Sequence, residues 1–537
     1  MGEESGRSGP SRALLGLAAL AGGAGSMALE ITAVRLLAPW FGTSVQAWTN
    51  IIGLVLGALA AGYLLGGRLA DRAHRPRPGI PLLAGGVLSA ASPLLLPPLA
   101  RLFVDPSLPL ESALGAMAAA SLPVSALLFG PAVFLLGMVP PFLVKAWAAG
   151  DPGRVGRASG MVYALGTLGA LAGTFLPTWW LVPALGSRWT LFLSGAVLVL
   201  AGALLEAGSG PGKRRRTASL LLFLLAAGLM AGTGFTLPSA QVAPRPQDAK
   251  VLFQKESPYQ FVRVLEKEEE GRTWRVLALN EGLDSFHSVL GLGMRGNTGG
   301  RYYDALCLAA LLCAEPLQKG GRVLSIGSAG GTCLRLLEEN FGPGLRLEGV
   351  EIDPACVKAG RRFLDLPPEA KIHQGVDGRV FTRCARGPYR FIVVDAYSSQ
   401  IYIPFQLATL EFFREVKRIL EPGGVVAVNV ADPSREGLLA RPLARTLAKA
   451  FGKALLAPIP ESRNFLLAAR KGAPPDPRRF ESPSRPPPLA RLGKALSRRG
   501  EWTILGPGKG PWFRDDWCPL EEATWKAYLK ALEEALQ

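Results

Sequence analysis

Three acidic residues in the second half of the chain each follow a short apolar run, and a glycine-rich turn precedes them. Glu351, Asp377 and Asp395 stand at the predicted carboxyl ends of successive strands. A carboxylate in that place can accept hydrogen bonds from both hydroxyls of a ribose, and the glycines of residues 327–331 let the backbone approach a ligand closely. Because adenosine-type ligands bind at the carboxyl ends of such strands, the spacing predicts an adenosine-containing ligand.

The stretch 322–353 shows how these residues are positioned. An apolar run ends at Gly327-Ser328-Ala329-Gly330-Gly331, a helical pattern follows, and a second run, Leu345 to Val350, ends at Glu351 and Asp353. This strand, turn, helix and strand order is typical of the nucleoside-binding half of an open α/β sheet. Neither a G-K-[ST] nor a full G-x-G-x-x-G is present, so the turn is better suited to a nucleoside than to a phosphate. Further strands are predicted at 371–374, 390–394 and 425–430, within a Rossmann-like domain over residues 300–470.

The first half of the chain has a different composition. The chain has 537 residues, a mean hydropathy of +0.24 and a net charge of +17, and its apolar weight lies almost entirely before residue 240. Apolar stretches long enough to span a bilayer predict a polytopic domain over residues 1–240 with about seven spans. They lie at 13–37, 48–67, 80–100, 121–144, 158–183, 187–205 and 218–238, and residues 108–120 could hide an eighth.

The basic residues flank these spans, so they are better explained as determinants of membrane topology than as contacts to nucleic acid. No nucleic-acid partner is predicted. Basic loops near residues 68–77, 145–157 and 213–216 alternate along the chain and place the N-terminus in the cytoplasm. Seven spans would then leave the second half outside, whereas an adenosine cofactor made in the cytosol favours the inside. We favour the cytoplasm, at a plasma membrane, because an enzyme without substrate has no use.

The remaining segments have simpler patterns. Alternating runs over residues 250–292 predict a small antiparallel β-domain. Residues 471–500 are rich in Pro and Arg and are interpreted as a flexible linker or surface loop, and residues 501–537 carry an acidic motif and a final helix. No C-x-x-C pair with a nearby His occurs, so no metal is predicted.

Four motifs in order carry a family resemblance: VLSIGSAGG at 323–331, GVEID at 349–353, GVDGRVF at 375–381 and FIVVDAYSSQIYIP at 391–404. The chain resembles the spermidine synthase (polyamine aminopropyltransferase) family. It is most similar to the membrane-fused bacterial branch, because residues 25–72 and the DDWCP at 515–519 resemble that branch's first spans and closing motif. The resemblance implies a multi-pass helical membrane domain fused to a small β-domain and a Rossmann-like, methyltransferase-type α/β domain.

The resemblance also implies a transferase of polyamine and spermidine biosynthesis. It would transfer an aminopropyl group from decarboxylated S-adenosylmethionine to an amine such as putrescine. The implied contacts of the methionine-derived part are Gly327, Ser328 and Gly330. Glu351, with Asp353 beside it, would bind the ribose, Asp377 and Gly378 the adenine, and Asp395 would take the proton of the attacking amine.

The chain departs from the family pattern on the amine side. The Asp of the family's glycine turn corresponds to Gly330, and the second Asp of the D-S-S-D motif corresponds to Ser398. The resemblance leaves Asp284, Tyr302, Tyr303, Asp304 and Tyr397 as residues that could bind the acceptor. These departures put putrescine in doubt, although Asp284, Asp304 and Asp395 could form an acidic pocket.

Alternatives remain for the function and for the acids. The soluble half could transfer a methyl group from S-adenosylmethionine, because that ligand would use the same strand-end acids. It could also bind a nucleoside or polyamine without catalysis, as a membrane sensor or transporter, and assembly into a homo-oligomer stays open. Asp377 and Asp395 could instead be loop acids that cap the following helices.

Overall fold

The computed structural model describes residues 10–41, 45–73, 77–103, 120–149, 152–208, 228, 249–280, 286–398, 401–434, 436–481 and 486–536. The chain divides into two compact units. One comprises Met1–Arg245 with Glu256–Pro258, and the other comprises Pro246–Lys255 with Tyr259–Gln537.

The first unit consists of long apolar helices. They are α1 (Arg12–Phe41), α2 (Val45–Arg72), α3 (Gly79–Phe103), α4 (Gly130–Trp147), α5 (Val155–Leu176) and α6 (Val182–Gly208), with a π-helical turn at Pro177–Leu181 between the last two. Within the described ranges, six helices are long and apolar enough to cross a membrane, and they correspond to the first six predicted spans. The predicted span at 218–238 lies outside the described residues except for Gly228, and so do residues 108–119.

Small residues bring these helices into backbone contact. A Cβ added to Gly23 of α1 would lie 1.9 Å from the carbonyl oxygen of Gly166 in α5. One added to Gly62 of α2 would lie 2.3 Å from the carbonyl oxygen of Phe134 in α4. Close approach of this kind lets helices pack where the hydrophobic effect does not drive them together.

The second unit begins with the predicted antiparallel β-domain. Strands β1 (Ala249–Glu256), β2 (Phe261–Glu269), β3 (Arg272–Leu279) and β4 (Ser288–Gly291) form one sheet in the order β1-β2-β3-β4. A two-residue turn joins β2 to β3, and both of its residues, Glu270 and Gly271, have positive φ (52° and 71°). Two positive φ values are what a type I′ hairpin turn requires, so the turn matches the twist of the strands.

An eight-stranded sheet forms the rest of the unit. Its elements are α7 (Tyr302–Leu308), β5 (Gly321–Ile326), α8 (Thr332–Phe341), β6 (Leu345–Glu351), α9 (Pro354–Phe363), β7 (Lys371–Gln374), α10 (Gly378–Cys384), β8 (Tyr389–Val394), α11 (Leu410–Ile419), β9 (Leu420–Ala431), α12 (Ala440–Phe451), β10 (Ala454–Pro458), β11 (Asn464–Arg470), α13 (Pro487–Ser497), β12 (Thr503–Leu505) and α14 (Leu520–Leu536). The strand order is β12-β10-β11-β9-β8-β5-β6-β7, and β5 to β9 run parallel to their neighbours within that set.

This order creates a switch point next to β5. The chain continues from β5 to β6 and β7 on one side, then returns to build β8 and β9 on the other. In open α/β sheets, ligands bind in the crevice at the carboxyl ends of strands where the order reverses. The topology therefore predicts that the residues that follow β5, β6 and β8 form the ligand site.

The structure differs from the predicted linker at residues 471–500. This segment contains a 3₁₀ turn at Pro477–Phe480 and the helix α13, and it contributes Phe480, Leu489 and Leu496 to the core. The Pro residues misled the sequence interpretation because Pro is well tolerated in the first turn of a helix, where its missing N–H is not needed.

Candidate functional site

Strand register aligns three of the predicted site residues. Ile326 at the end of β5 pairs with Val350 of β6 and with Val394 of β8. Gly327, Glu351 and Asp395 are the next residues of the three strands, so they lie side by side at one edge of the sheet. Hydrogen bonding supports this alignment, because the Asp395 amide donates to the Ile326 carbonyl at 3.0 Å.

The glycine turn passes very close to the end of β8. Gly327 has a φ of 78°, and a Cβ there would lie 2.6 Å from both the Ala396 Cα and the Asp395 carbonyl oxygen. A side chain at this position would therefore force the two strand ends apart. At this glycine, the close approach is one of backbone to backbone.

The backbone amides of the turn have partners in the protein. Those of Gly327 and Ser328 donate to the Val350 carbonyl, and that of Gly331 donates to the Ser328 carbonyl. The Ala329 amide donates to Glu351 Oε2 at 2.8 Å, and the Gly330 amide donates to Ser288 Oγ at 2.8 Å. A phosphate would need free amides, and the five amides of this turn already donate within the protein.

Ser328 differs from its neighbours in the turn. Its side chain is buried, and its Oγ has no hydrogen-bond partner within the described ranges. A buried hydroxyl without a partner is costly, so Ser328 Oγ offers a polar atom to a ligand in the cleft.

Glu351 is held by the turn and by its own strand end. Its carboxylate accepts from the Ala329 amide through Oε2 and from the Asp353 amide through Oε1, at 2.8 Å and 2.9 Å. Burial raises the pKa of Glu351 to about 7. An ionised carboxylate has roughly four acceptor sites, so acceptor capacity remains for a ribose hydroxyl.

Asp353, which the resemblance places beside the ribose, is engaged by the start of the next helix. Its side chain is fully buried and accepts from the Ala355 amide, which makes it the N-cap of α9. A carboxylate at a helix N-terminus is stabilised by the free amides of the first turn. The contribution of Asp353 to the site is its backbone amide, which holds Glu351.

Asp377 is likewise an N-cap, as one of the alternatives proposed. Its Oδ1 accepts from the amides of Arg379 and Val380 at the start of α10. Its Oδ2 accepts from the side-chain nitrogen Nε2 of Gln406 at 3.4 Å. Gly378 packs against β5, because a Cβ there would lie 2.6 Å from Ile326 Cγ2.

Asp395 is held by side chains. Its Oδ1 accepts from Asn429 Nδ2 at 2.9 Å, and its Oδ2 lies 3.3 Å from the Tyr302 hydroxyl, which donates to it. In the part of the chain that the structure describes, no backbone amide donates to this carboxylate, so the capping alternative does not apply to it. Burial raises the pKa of Asp395 to about 6, against the lowering effect of these two hydrogen bonds.

Two tyrosines adjoin Asp395 from α7. The rings of Tyr302 and Tyr303 stack with centroids 4.0 Å apart. The Tyr303 hydroxyl donates to the Phe286 carbonyl at 2.6 Å, so the hydroxyl that reaches Asp395 is that of Tyr302. Burial raises the pKa of Tyr302 well above its usual value, and the nearby Asp395 charge acts in the same direction.

Asp304, one of the acids of the predicted acidic pocket, has its hydrogen bonds in the loop that precedes α7. It is fully buried, and its carboxylate accepts from the Thr298 amide and hydroxyl and from the Gly300 amide, at 2.7 to 2.8 Å. It therefore orders the loop that precedes α7. Burial raises the pKa of Asp304 to about 6.

Tyr397 and Asp284 are the two remaining residues predicted to bind the acceptor. The hydroxyl of Tyr397 donates to the Asn429 carbonyl at 3.1 Å and accepts from the Ala431 amide at 2.9 Å, so only the ring is left for a ligand. Asp284 lies outside the described residues.

The sequence interpretation missed Asn429 and Ser288. Asn429 holds Asp395, and Ser288 accepts from the turn at Gly330. A signal for Asn429 was available, because it is the lone polar residue in the apolar run Val425 to Val430 of a buried strand. Ser288 gave no comparable signal, because it lies in another sheet and only the tertiary fold brings it to the turn.

The fold is an α/β sheet whose switch point carries a glycine turn and two buried carboxylates, Glu351 and Asp395. No family profile matches the chain. It is 35% identical over 175 residues to a probable polyamine aminopropyl transferase of Bifidobacterium longum, which covers 32% of this chain and 38% of that protein. It is 33% identical over 109 residues to a polyamine aminopropyltransferase of Chromobacterium violaceum, covering 20% of this chain and 41% of that protein.

Among solved structures, a probable spermidine synthase from Corynebacterium glutamicum matches with a TM-score of 0.38 and 19% identity, over 52% of this chain and 99% of that one. Over these stretches the chain is similar to polyamine aminopropyltransferases, the family that the four motifs resemble. The matched stretches span about two fifths of the two curated relatives.

Proposed function

We propose that the protein is an aminopropyltransferase that moves an aminopropyl group from decarboxylated S-adenosylmethionine to an amine such as putrescine. The observation that carries this proposal is the state of Asp395. It is a buried carboxylate aligned with the glycine turn, it is held by side chains, and its pKa is raised to about 6. Such a group is ionised near neutral pH and is a better proton acceptor than an ordinary Asp.

The residues beside Asp395 fit the nucleoside part of the co-substrate. Glu351 has acceptor sites left for the ribose, and Ser328 Oγ is a buried polar atom without a partner within the described ranges. Asp377 and Gly378 would adjoin the adenine, with Gln406 fixing one Asp377 oxygen. The co-substrate, when bound, supplies a sulfonium whose neighbouring carbon is open to attack.

Asp395 would act on the acceptor amine. An ammonium has no free electron pair, so it must lose a proton before its nitrogen can attack. The nitrogen then forms a bond to the carbon next to sulfur, the carbon–sulfur bond breaks, and methylthioadenosine leaves. The proton passes to Asp395, whose other interactions, with Asn429 and Tyr302, keep the carboxylate in place.

The proposal for the first unit is that it anchors the enzyme in the plasma membrane, with the lipid bilayer as its partner and the catalytic unit in the cytoplasm. Six helices of suitable length and composition support the membrane part. A reporter-fusion map is expected to place the basic residues 213–216 in the cytoplasm. If the catalytic unit maps to the same side, residues 217–245 must cross the membrane an even number of times or not at all.

The decisive experiment identifies the adenosine product. The full chain in lipid nanodiscs is incubated with decarboxylated S-adenosylmethionine and a mixture of amines, and in parallel with S-adenosylmethionine. Methylthioadenosine is the expected product, and it should be lost in Asp395→Asn. S-adenosylhomocysteine would instead indicate methyl transfer, and binding without any product would indicate a sensor or transporter.

A further inference from the structure

A row of side-chain amides leads from Asp395 across two strands. Strand register places Asn429 beside Asp395, because Val428 of β9 pairs with Val394 of β8. Asn429 Nδ2 donates to Asp395 Oδ1, and Asn429 Oδ1 accepts from Asn464 Nδ2 of β11, both at 2.9 Å. Asn464 Oδ1 in turn accepts from the Ser462 hydroxyl at 2.9 Å. The row therefore connects the candidate base to the β10–β11 hairpin.

The row fixes which end of the Asn429 amide faces Asp395. The Ser462 hydroxyl donates to Asn464 Oδ1, which leaves Asn464 Nδ2 to donate to Asn429 Oδ1. The Asn429 amino group then faces the carboxylate, which can only accept while it is ionised. A reversed Asn429 would place its oxygen against Asp395 Oδ1 and its amino group against that of Asn464, which loses two hydrogen bonds in a buried site.

Asn429 lies in an apolar part of the sheet, where an amide must form its hydrogen bonds. Asn429 is buried between Val428 and Val430, and all three lie in the interior of the sheet. A polar amide in such a place destabilises the fold unless its hydrogen bonds are made. The Asn429 carbonyl also accepts from the Tyr397 hydroxyl, so the strand and the loop after Asp395 are joined at the same residue.

The titratable groups that face Asp395 from other elements carry no positive charge. They are Tyr302 and Tyr303 of α7, Cys333 of α8 and Tyr397 of the loop after β8. Within the described residues no Lys or Arg pairs with Asp395, so its ionised form is stabilised by the donors Asn429 and Tyr302 alone. Of these two contacts, the one from Asn429 is the shorter, at 2.9 Å against 3.3 Å.

We propose that Asn429 is a positioning residue for Asp395 and that Asn464 fixes the orientation of the Asn429 amide. This rests on the proposed function, in which Asp395 is the base, and extends it to a residue pair that does not contact the reacting atoms. The row would keep the carboxylate ionised and aimed at the amine, so its loss would change the pH at which the enzyme becomes active.

The pH dependence of turnover tests the proposal. Asn429→Leu keeps the side-chain size and removes the donor, so the ionised form of Asp395 becomes less favourable and its pKa rises. The acid limb of kcat at saturating substrates is expected to move up by about one pH unit, with much of the rate recovered at high pH. Asn464→Leu should move the limb the same way by less. Asn340→Leu, which removes a half-buried amide near the C-terminal end of α8, should leave it in place.

A second measurement does not depend on activity. Asp395 has a raised pKa in the folded chain, so its contribution to stability is greatest at low pH and is lost as the pH rises through about 6. Removing the Asn429 donor should therefore lower the unfolding temperature more at about pH 8 than at about pH 5. In an Asp395→Asn background this difference between the two pH values should disappear, because residue 395 no longer ionises.

The two measurements separate the possible failures. If the wild-type chain makes no methylthioadenosine, the proposed function fails, and the unfolding cycle still tests the row. If methylthioadenosine is made but Asn429→Leu moves neither the acid limb nor the pH dependence of unfolding, the positioning role is overturned. A uniform loss of rate at every pH, with no coupling to Asp395, would likewise count against it.

Discussion

The acids on the two sides of the cleft are held in different ways. On the proposed nucleoside side, Glu351 and Asp377 accept from backbone amides of the glycine turn, the β6 end and α10. On the proposed acceptor side, Asp395 accepts from two side chains, Asn429 and Tyr302. The first group of acids shapes the backbone as well as the site, whereas Asp395 supports no turn or helix end in the described chain.

This difference has a physical consequence. An acid that accepts from backbone amides stabilises the local fold, so its position is fixed before any ligand arrives. An acid held by side chains supports no turn or helix end, so it can take up and release a proton without loss of a backbone contact. Burial raises the pKa of both kinds of acid, to about 7 for Glu351 and to about 6 for Asp395. The acceptor side is therefore where we expect chemistry, and the nucleoside side is where we expect binding.

The largest expected effect tests the acceptor side. Asp395→Asn should lower turnover by about 10²–10⁴-fold, the range typical of a lost general base, while the affinity for the nucleoside is nearly kept. In the wild type, turnover should fall as the pH drops through about 6, because the carboxylate becomes protonated. Full turnover by the variant at saturating co-substrate and amine would rule out the proposed mechanism.

The next effect tests Glu351 as the ribose ligand. Glu351→Gln should weaken binding of methylthioadenosine by about 1–3 kcal/mol, the worth of a hydrogen bond to a charged group. Calorimetry on the full chain at about pH 8, where the wild-type carboxylate is ionised, measures it. Because burial raises the pKa of Glu351 to about 7, wild-type affinity should decline as the pH falls through that value, and the variant should lack this dependence.

A smaller effect is expected at Asp377. Asp377→Asn should raise the dissociation constant of the nucleoside with a lesser effect on the saturated rate. The substitution is well suited to the question because Asn and Asp cap helices about equally well, so α10 should keep its stability. Asp377→Ala serves as the comparison, since it should also destabilise the fold by about 1 kcal/mol. Should Asp377→Asn reduce the saturated rate as much as Asp395→Asn, the two sides would not differ as described.

The smallest effect is expected at Asp353. Its carboxylate caps α9, and its link to the site is the backbone amide that donates to Glu351. Asp353→Asn should therefore leave nucleoside affinity within about twofold of wild type, since Asn is an equally good N-cap. A large loss of affinity without a loss of stability would show that this side chain contacts the ligand after all.

The sequence by itself determined the local features of this protein. The apolar runs located the six described helices that are long and apolar enough to cross a membrane. The order of strand, glycine turn, helix and strand located the sheet and the positions of Gly327, Glu351, Asp377 and Asp395 at its strand ends. These features depend on the period of apolar residues and on backbone conformation, which act over a few neighbouring positions. Such patterns can be recognised without knowing how distant segments pair.

The tertiary structure alone decided which partners each acid has. Asp304 accepts hydrogen bonds from the loop at Thr298, and Asp353 and Asp377 cap helices. Asp395 accepts from the side chain of Asn429. The placement of β8 beside β5 brings Asp395 to the glycine turn, and the pairing of β9 with β11 builds the amide row behind it. Sequence spacing does not specify strand order or hydrogen-bond partners tens of residues away, because these follow from how the whole sheet packs.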